Sequence, residues 1–314
     1  STDANNKNIL MGDYGWYKEK IGEAMATQRA LAKNFSRNAD TLYVHADTLR
    51  LFSYDLRTDS AYRVLHGYFH VRAYHTDVQA VCDSLVFRSK LRKLSLFRDP
   101  IVWSEDRQIL GEEINVYTND STLDSVYVER QSLLVQQLPD TLHFNQVSGN
   151  ILQAYFRKGQ LYQARVDGNA MVINFPIEKD SSLLYQNYCE AAKMRIDIVD
   201  RKMRRYWAGP SPIAKTYPIN LAPAEHTKFS NFAWFSRIRP QGPHDLFEWR
   251  GKSDENKLKI LPRRAAPMQT LDKNKATGAT MWEKKIEVPL ETPNSTPAQT
   301  SPNNSLPSNS SNTH

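Results

Sequence analysis

The stretch Val78-Gln79-Ala80-Val81-Cys82-Asp83-Ser84-Leu85-Val86-Phe87 decides how this chain is read. Its apolar residues fall on alternate positions, Val78, Ala80 and Cys82, and then resume on the other parity at Leu85 and Phe87. Side chains of a strand point to opposite faces with period two. A one-residue slip therefore turns the apolar set outward unless the chain bends or bulges there. A small residue followed by a polar one suits such a corner. The stretch predicts two strand halves joined at a bend, both facing one interior.

The phrase at the corner is apolar, any, small, polar, any, apolar. It occurs as Val44-His45-Ala46-Asp47-Thr48-Leu49, Ala80-Val81-Cys82-Asp83-Ser84-Leu85, Ile109-Leu110-Gly111-Glu112-Glu113-Ile114 and Val147-Ser148-Gly149-Asn150-Ile151-Leu152. A last copy is Cys189-Glu190-Ala191-Ala192-Lys193-Met194, where Ala192 takes the polar slot. Spacings of roughly 30 to 40 residues are those of a stacked, solenoid-like architecture. The apolar slots beside each corner are predicted to line one continuous trough. They are Val44, Ala46, Leu49 and Leu51; Ala80, Cys82, Leu85 and Phe87; Ile109, Ile114 and Val116; Val147, Leu152 and Ala154; and Met194 and Ile196.

The 314 residues, 40% hydrophobic and 24% charged, suffice for a sizeable core. No run of about 18 apolar residues marks a transmembrane helix. The first residues carry no apolar secretory region, which fits a signal already removed or a start within a longer protein. A net charge of +7 leaves an anionic partner open without demanding one. The basic runs Arg88–Lys93 and Arg201–Trp207 read as solvated faces or turns. Cys82 and Cys189 occupy small apolar slots of different repeats, so both are expected to be reduced, buried and too far apart to bridge.

Residues 42 to 207 read as strand after strand, with turn signals at Thr118-Asn119-Asp120, Lys158-Gly159 and Asp167-Gly168-Asn169. Residues 13–36 fit both a helical period and a hairpin, and the hairpin extends the repeat. The expected organisation is a repeat region over 1–207, an aromatic-rich cap or docking segment over 208–261, and a disordered Pro/Ser/Asn/Thr-rich tail over 262–314. The cap is expected to cover the last open strand edge.

Catalytic signatures are missing from the sequence. It has no Gly-x-Ser-x-Gly elbow, no phosphate-cradling glycine loop and no Cys-x-x-Cys. Glu112 and Glu113 are strand neighbours and point apart, which suits acid–base work poorly. His66 and His70 share a strand face but lie about 13 Å apart, too far for one zinc ion. The expectation is a protein without enzymatic activity, cofactor or metal, and without a nucleic-acid partner.

Ala46-Asp47-Thr48-Leu49 and Cys82-Asp83-Ser84-Leu85 resemble the A-D-x-L signature of the OstA-like (LptA-like) family of lipopolysaccharide-transport proteins, in its Bacteroidetes-type form. Gly67-Tyr68-Phe69-His70-Val71 and Gly168-Asn169-Ala170-Met171-Val172 are similar to that family's G-N-V-x-V element. The likeness covers residues 10 to about 207. It implies an all-β fold, a repeat-built, V-shaped open β-jellyroll whose groove takes lipid A acyl chains of lipopolysaccharide. It further implies residence in the periplasm or at the periplasmic face of the outer membrane. The implied partners are other β-jellyroll transport proteins, joined by edge-strand stacking, with self-association as a further option. The alternative reading is a closed-core β-solenoid acting as scaffold or adhesin without lipid. Small interior residues such as Ala46, Gly111 and Gly149 favour the groove. On that reading a charge at Leu85, Ile114 or Leu152 blocks lipid capture and leaves the fold intact.

Overall fold

A strand half ends wherever the polypeptide meets one of the corner phrases. In the computed structural model, residues 2–3, 8–35, 41–55, 58, 60–119, 123–178, 182–200 and 202–250 are described. The tail over 262–314 lies outside them. Strands β1 (Thr2–Asp3), β2 (Asn8–Met11), β3 (Tyr14–Lys18), β4 (Glu23–Phe35), β5 (Thr41–Tyr54), β6 (Tyr62–Tyr74) and β7 (Gln79–Arg88) open the fold. Four short strands follow: β8 (Lys93–Phe97), β9 (Ile101–Ser104), β10 (Arg107–Leu110) and β11 (Glu113–Thr118). Then come β12 (Leu123–Gln137), β13 (Phe144–Arg157), β14 (Gln160–Asn174), β15 (Tyr185–Val199), β16 (Lys202–Gly209) and β17 (Ile213–Pro218). All join one antiparallel sheet in which each bent strand pairs with the next along the chain. Tyr14–Lys18 and Glu23–Phe35 are strands joined by a 3-10 turn at Glu19–Ile21, the hairpin that extends the repeat. The sheet continues past residue 207 to Pro218.

One line of corners folds this sheet in two. At each corner two residues of one strand face a single residue of its neighbour. Thr27 pairs with Thr48 and Ala30 with Ala46, so Gln28 and Arg29 lie against Asp47 alone. Likewise Phe69 and His70 face Asp83, Arg130 and Gln131 face Asn150, and Gly168 and Asn169 face Ala192. All eight paired residues have positive φ, between 51° and 78°. Two successive left-handed residues turn the strand sharply and keep its direction. The polar slots of the corner phrases tie the corners together. The Asp47 carboxylate meets His70 Nδ1 at 2.8 Å, Asp83 meets Arg98 at 3.2 Å, and Glu112 pairs with Arg130. The Asp167-Gly168-Asn169 signal, read above as a turn between strands, is thus a corner inside β14.

Small residues sit at the corners because the walls crowd them. A Cβ on Gly149 would lie 2.3 Å from Val166 Cγ1, and one on Gly111 would lie 2.3 Å from Val128 Cγ1. Gly149→Ala is expected to cost about 1–3 kcal/mol. Adding Val166→Ala should cost less than the sum of the two single changes, because the new methyl fills the space that valine vacates. Urea denaturation of the two singles and the double checks this.

Half A of the sheet holds β2, β9, β10, β17 and the segments of the bent strands that pair with them. Half B holds β3, β8, β11, β16 and the remaining segments. Their inner faces pack on each other in one apolar cluster running from Leu10 to Ile196. A second cluster lies on the outer face of half A, where residues 219–250 form a strap across the strands. Trp103, Val135 and Ile173 pack there with Phe229, Phe235 and Ile238. Glutamines on the same face hold the strap's backbone. Gln146 donates to the Thr227 carbonyl at 3.0 Å and accepts from Phe229 N at 3.0 Å. Gln108 donates to the Ala233 carbonyl at 2.9 Å and accepts from Phe235 N at 2.8 Å. Gln186 donates to the His226 carbonyl, and Gln79 accepts from Arg239 at 2.8 Å. The aromatic segment therefore covers a sheet face, where the sequence suggested a cap over the last edge. The described residues fall within one compact unit, Ser1–Leu271.

Candidate functional site: the apolar interior and its mouth

Register builds the interior row by row. One inner row of half B runs in unbroken pairing from Gly15 through Ala26, Leu49, Gly67, Leu85, Leu96, Ile114, Val128, Leu152, Val166 and Met194 to Ala208. The opposing row of half A includes Leu10, Val44, Ala80, Ile109, Val147 and Cys189. All sixteen residues assigned to the trough from sequence enter this one cluster, with Leu51 and Phe87 partly buried at its margin. Leu85, Ile114 and Leu152 share a single row, as their common slot predicts.

The interior is closed beside the corners. Leu85 is 1% exposed, and Ile114 and Leu152 are 0% exposed. These side chains pack against protein, so the expectation that an aspartate there would stay partly solvated does not hold.

A small cavity remains farther out, at the mouth toward the tips of the halves. Val78, Val102, Ile109 and Leu134 of half A face Val116, Leu123, Val126, Ala154, Phe156 and Leu161 of half B. Ser104, Glu105, Arg107, Gly159 and Gln160 form the rim. The guanidinium of Arg107 lies 3.3 Å from Glu105 and 3.7 Å from Asp106. The enclosed volume is about 50 Å³, room for a few waters and too little for an acyl chain. Occupation by anything larger requires the halves to part.

The titratable groups described in the interior and at the corners are held in local contacts. Burial pushes the Cys189 thiol up, which keeps it protonated and unreactive. Neither cysteine is in a disulfide, and both are buried. Their strands lie six positions apart in half A, about 29 Å at the usual strand spacing. Burial also pushes the imidazole of His45 below its ordinary value, and its Nδ1 lies 2.7 Å from the Ala30 carbonyl. His66 bonds the Tyr68 hydroxyl at 3.1 Å while His70 faces Asp47, so the two histidines serve different partners. Among the described residues no cluster of three or more side chains could hold a metal ion. No helix among them is long and apolar enough to cross a membrane.

Sequence reasoning missed the strap's anchors and the rim. A signal for the strap was present. Ile101-Val102-Trp103 and Leu133-Leu134-Val135 are continuous apolar runs, the mark of strands buried on both faces. The rim residues had no signal, because Glu105, Arg107 and Gln160 read as ordinary hairpin tips.

No protein-family model matches the chain, and no curated protein matches it. Among solved structures, the chain is similar to the crystal structure of LptH, the LptA-homologous periplasmic component of the conserved lipopolysaccharide transport device from Pseudomonas aeruginosa. The identity is 14%, the match spans 41% of this chain and 87% of LptH, and the TM-score is 0.32. A likeness at that score bears on neither site nor activity.

Proposed function

We propose that this chain is a non-enzymatic lipid-binding protein of lipopolysaccharide transport. On this reading it works as a V-shaped β-jellyroll in the periplasm or at the periplasmic face of the outer membrane. Lipid A acyl chains lie between the two half-sheets. The observation that carries the reading is the inner lining: apolar or small side chains in register on twelve successive strands, with a small cavity toward the tips. The corner phrases, which resemble the OstA-like signature, support it.

The geometry suggests how the interior opens. Half A is stiffened by the strap, and no described segment straps half B. Swinging half B outward about the corners exposes apolar surface at about 25 cal/mol per Å². Each acyl methylene that enters returns about 0.8 kcal/mol. Arg107 at the rim is held by Glu105 and Asp106, so it meets a phosphate only after leaving them. Exposed apolar side chains gather at both ends of the sheet: Met11, Tyr14 and Tyr17 at the first, and Trp207 and Ile213 at the last. These edges suit stacking with other jellyroll proteins.

A closed-core scaffold is the second reading, and the complete burial of Leu85, Ile114 and Leu152 favours it. Displacement of a fluorescent lipid A separates the two. Val78 and Leu161 are half-buried at the mouth, so Val78→Asp and Leu161→Asp should fold. Each should weaken binding roughly tenfold or more, while Leu142→Asp, on an exposed turn, should change nothing. Equal binding by all three variants and the parent would place the lipid elsewhere. No binding by the parent would leave the scaffold.

A further inference from the structure

The outer face of half B carries a cationic stripe that the lipid reading does not use. One row runs in register from Trp16 on β3 to Trp207 on β16 and holds Arg50, Arg165 and Arg195 without a single carboxylate. The next row toward the tips runs from Lys18 to Arg205 and adds Arg88 and Lys93. Its two carboxylates are both engaged, Glu23 by Arg50 and Asp197 by Arg195 at 3.1 Å. Among the described residues, no ion pair holds Lys18, Arg88 or Lys93.

The cations are held down rather than dangling. Lys18 sits 4.6 Å from the centre of the Trp16 ring, Arg50 5.4 Å from Phe52, Lys93 5.5 Å from Tyr117 and Arg165 5.1 Å from Tyr155. Such placement lowers the entropy lost when an anion is bound. It also covers the ring faces, so these aromatics make no stacking platform for nucleic-acid bases. The two rows cross twelve strands, about 53 Å at the usual spacing, with cations on β3 to β8 and again on β14 to β16 and none on β11 to β13, and they follow the sheet's twist. A planar bilayer meets a twisted stripe over only part of its length, whereas a flexible linear polymer follows all of it.

We infer that the outer face of half B binds a linear polysaccharide bearing carboxylate, sulfate or phosphate groups, along the line from Lys18 to Arg205. Binding is electrostatic and independent of the apolar interior.

The test uses the full chain at 0.15 M salt, with three fluorescent probes of matched length: heparin, polygalacturonate and a single-stranded oligonucleotide. Triple replacement of Lys18, Arg88 and Lys93 by glutamine should lower affinity for the two glycans roughly 10- to 100-fold by lost counterion release. A control triple at Lys158, Lys215 and Arg237, exposed residues off the stripe, removes the same charge. It should lower affinity less than threefold. Exchange of the stripe residues for the other cation (Lys18→Arg, Arg88→Lys, Lys93→Arg) should retain binding. Melting curves confirm that each variant folds. Equal loss in both triples would reduce the effect to net charge and overturn the inference, as would no glycan binding by the parent. Tighter, stripe-dependent binding of the oligonucleotide would assign the face to nucleic acid and overturn it too.

Discussion

Replacing Arg72 with alanine is expected to destabilise the protein by about 3–5 kcal/mol and to free the strap. Arg72 is completely buried under the strap's far end, where its guanidinium meets Asp245 at 3.2 Å. It also donates to the Ile238 carbonyl at 3.2 Å and to the Arg250 carbonyl at 3.4 Å. Removing it leaves two carbonyls without a donor and takes from Asp245 one of its two guanidinium partners, the carboxylate keeping Arg250 at 2.8 Å and the Gln241 N–H at 3.0 Å. Burial pulls the guanidinium below its ordinary pKa, with Asp245 opposing that shift. The pair therefore serves position more than net stability. Changing both partners, Arg72→Leu with Asp245→Asn, should recover part of the loss, because the buried guanidinium is gone and Arg250, which also pairs with Asp245, is partly exposed and keeps Glu248 at 3.0 Å. Urea denaturation measures the energies. Limited proteolysis should cut Arg72→Ala first between residues 219 and 250, and a cut pattern like the parent's would show that the strap stays docked without this anchor.

Leu152→Asp and Ile114→Asp are expected to cost more than about 4 kcal/mol each and to unfold much of the protein at 37 °C. Both residues are 0% exposed in the middle of the inner row, so an aspartate there has neither water nor a partner. Leu161→Asp, at the half-exposed mouth, should cost far less. Thermal melts of the three variants make the comparison. If Leu152→Asp melted like the parent, the interior would be open to water at the corners and the closed packing described here would be wrong.

The interior was legible because strand parity is a strict code. The slip between Ala46 and Leu49, or Cys82 and Leu85, fixes both the bend and the residues on each side of it. The partner of each corner was not legible. Gln28-Arg29, Phe69-His70, Arg130-Gln131 and Gly168-Asn169 adopt the same left-handed pair, yet only the last has residues that favour it. The conformation of the other three is imposed by the neighbouring corner phrase and by ladder pairing on both sides. The strap was half legible: its aromatics stood out, but their destination depends on glutamines whose role appears only when Gln79, Gln108 and Gln146 fall on one face. The closure of the trough was least legible. Small residues at the corners suggested room inside, whereas Gly111 and Gly149 are small because Val128 and Val166 occupy that room.

Neighbouring positions on β14 give the most direct test of lipid binding between the half-sheets. Leu161 points into the mouth, and Tyr162 points to the outer face of half B, beneath Arg157. A photo-crosslinking benzophenone amino acid at each position, irradiated with lipid A, reads which face meets the acyl chains. Strong adducts from position 161 and none above background from position 162 are expected. Adducts from 162 alone, or equal adducts from both, would contradict a lipid site between the halves.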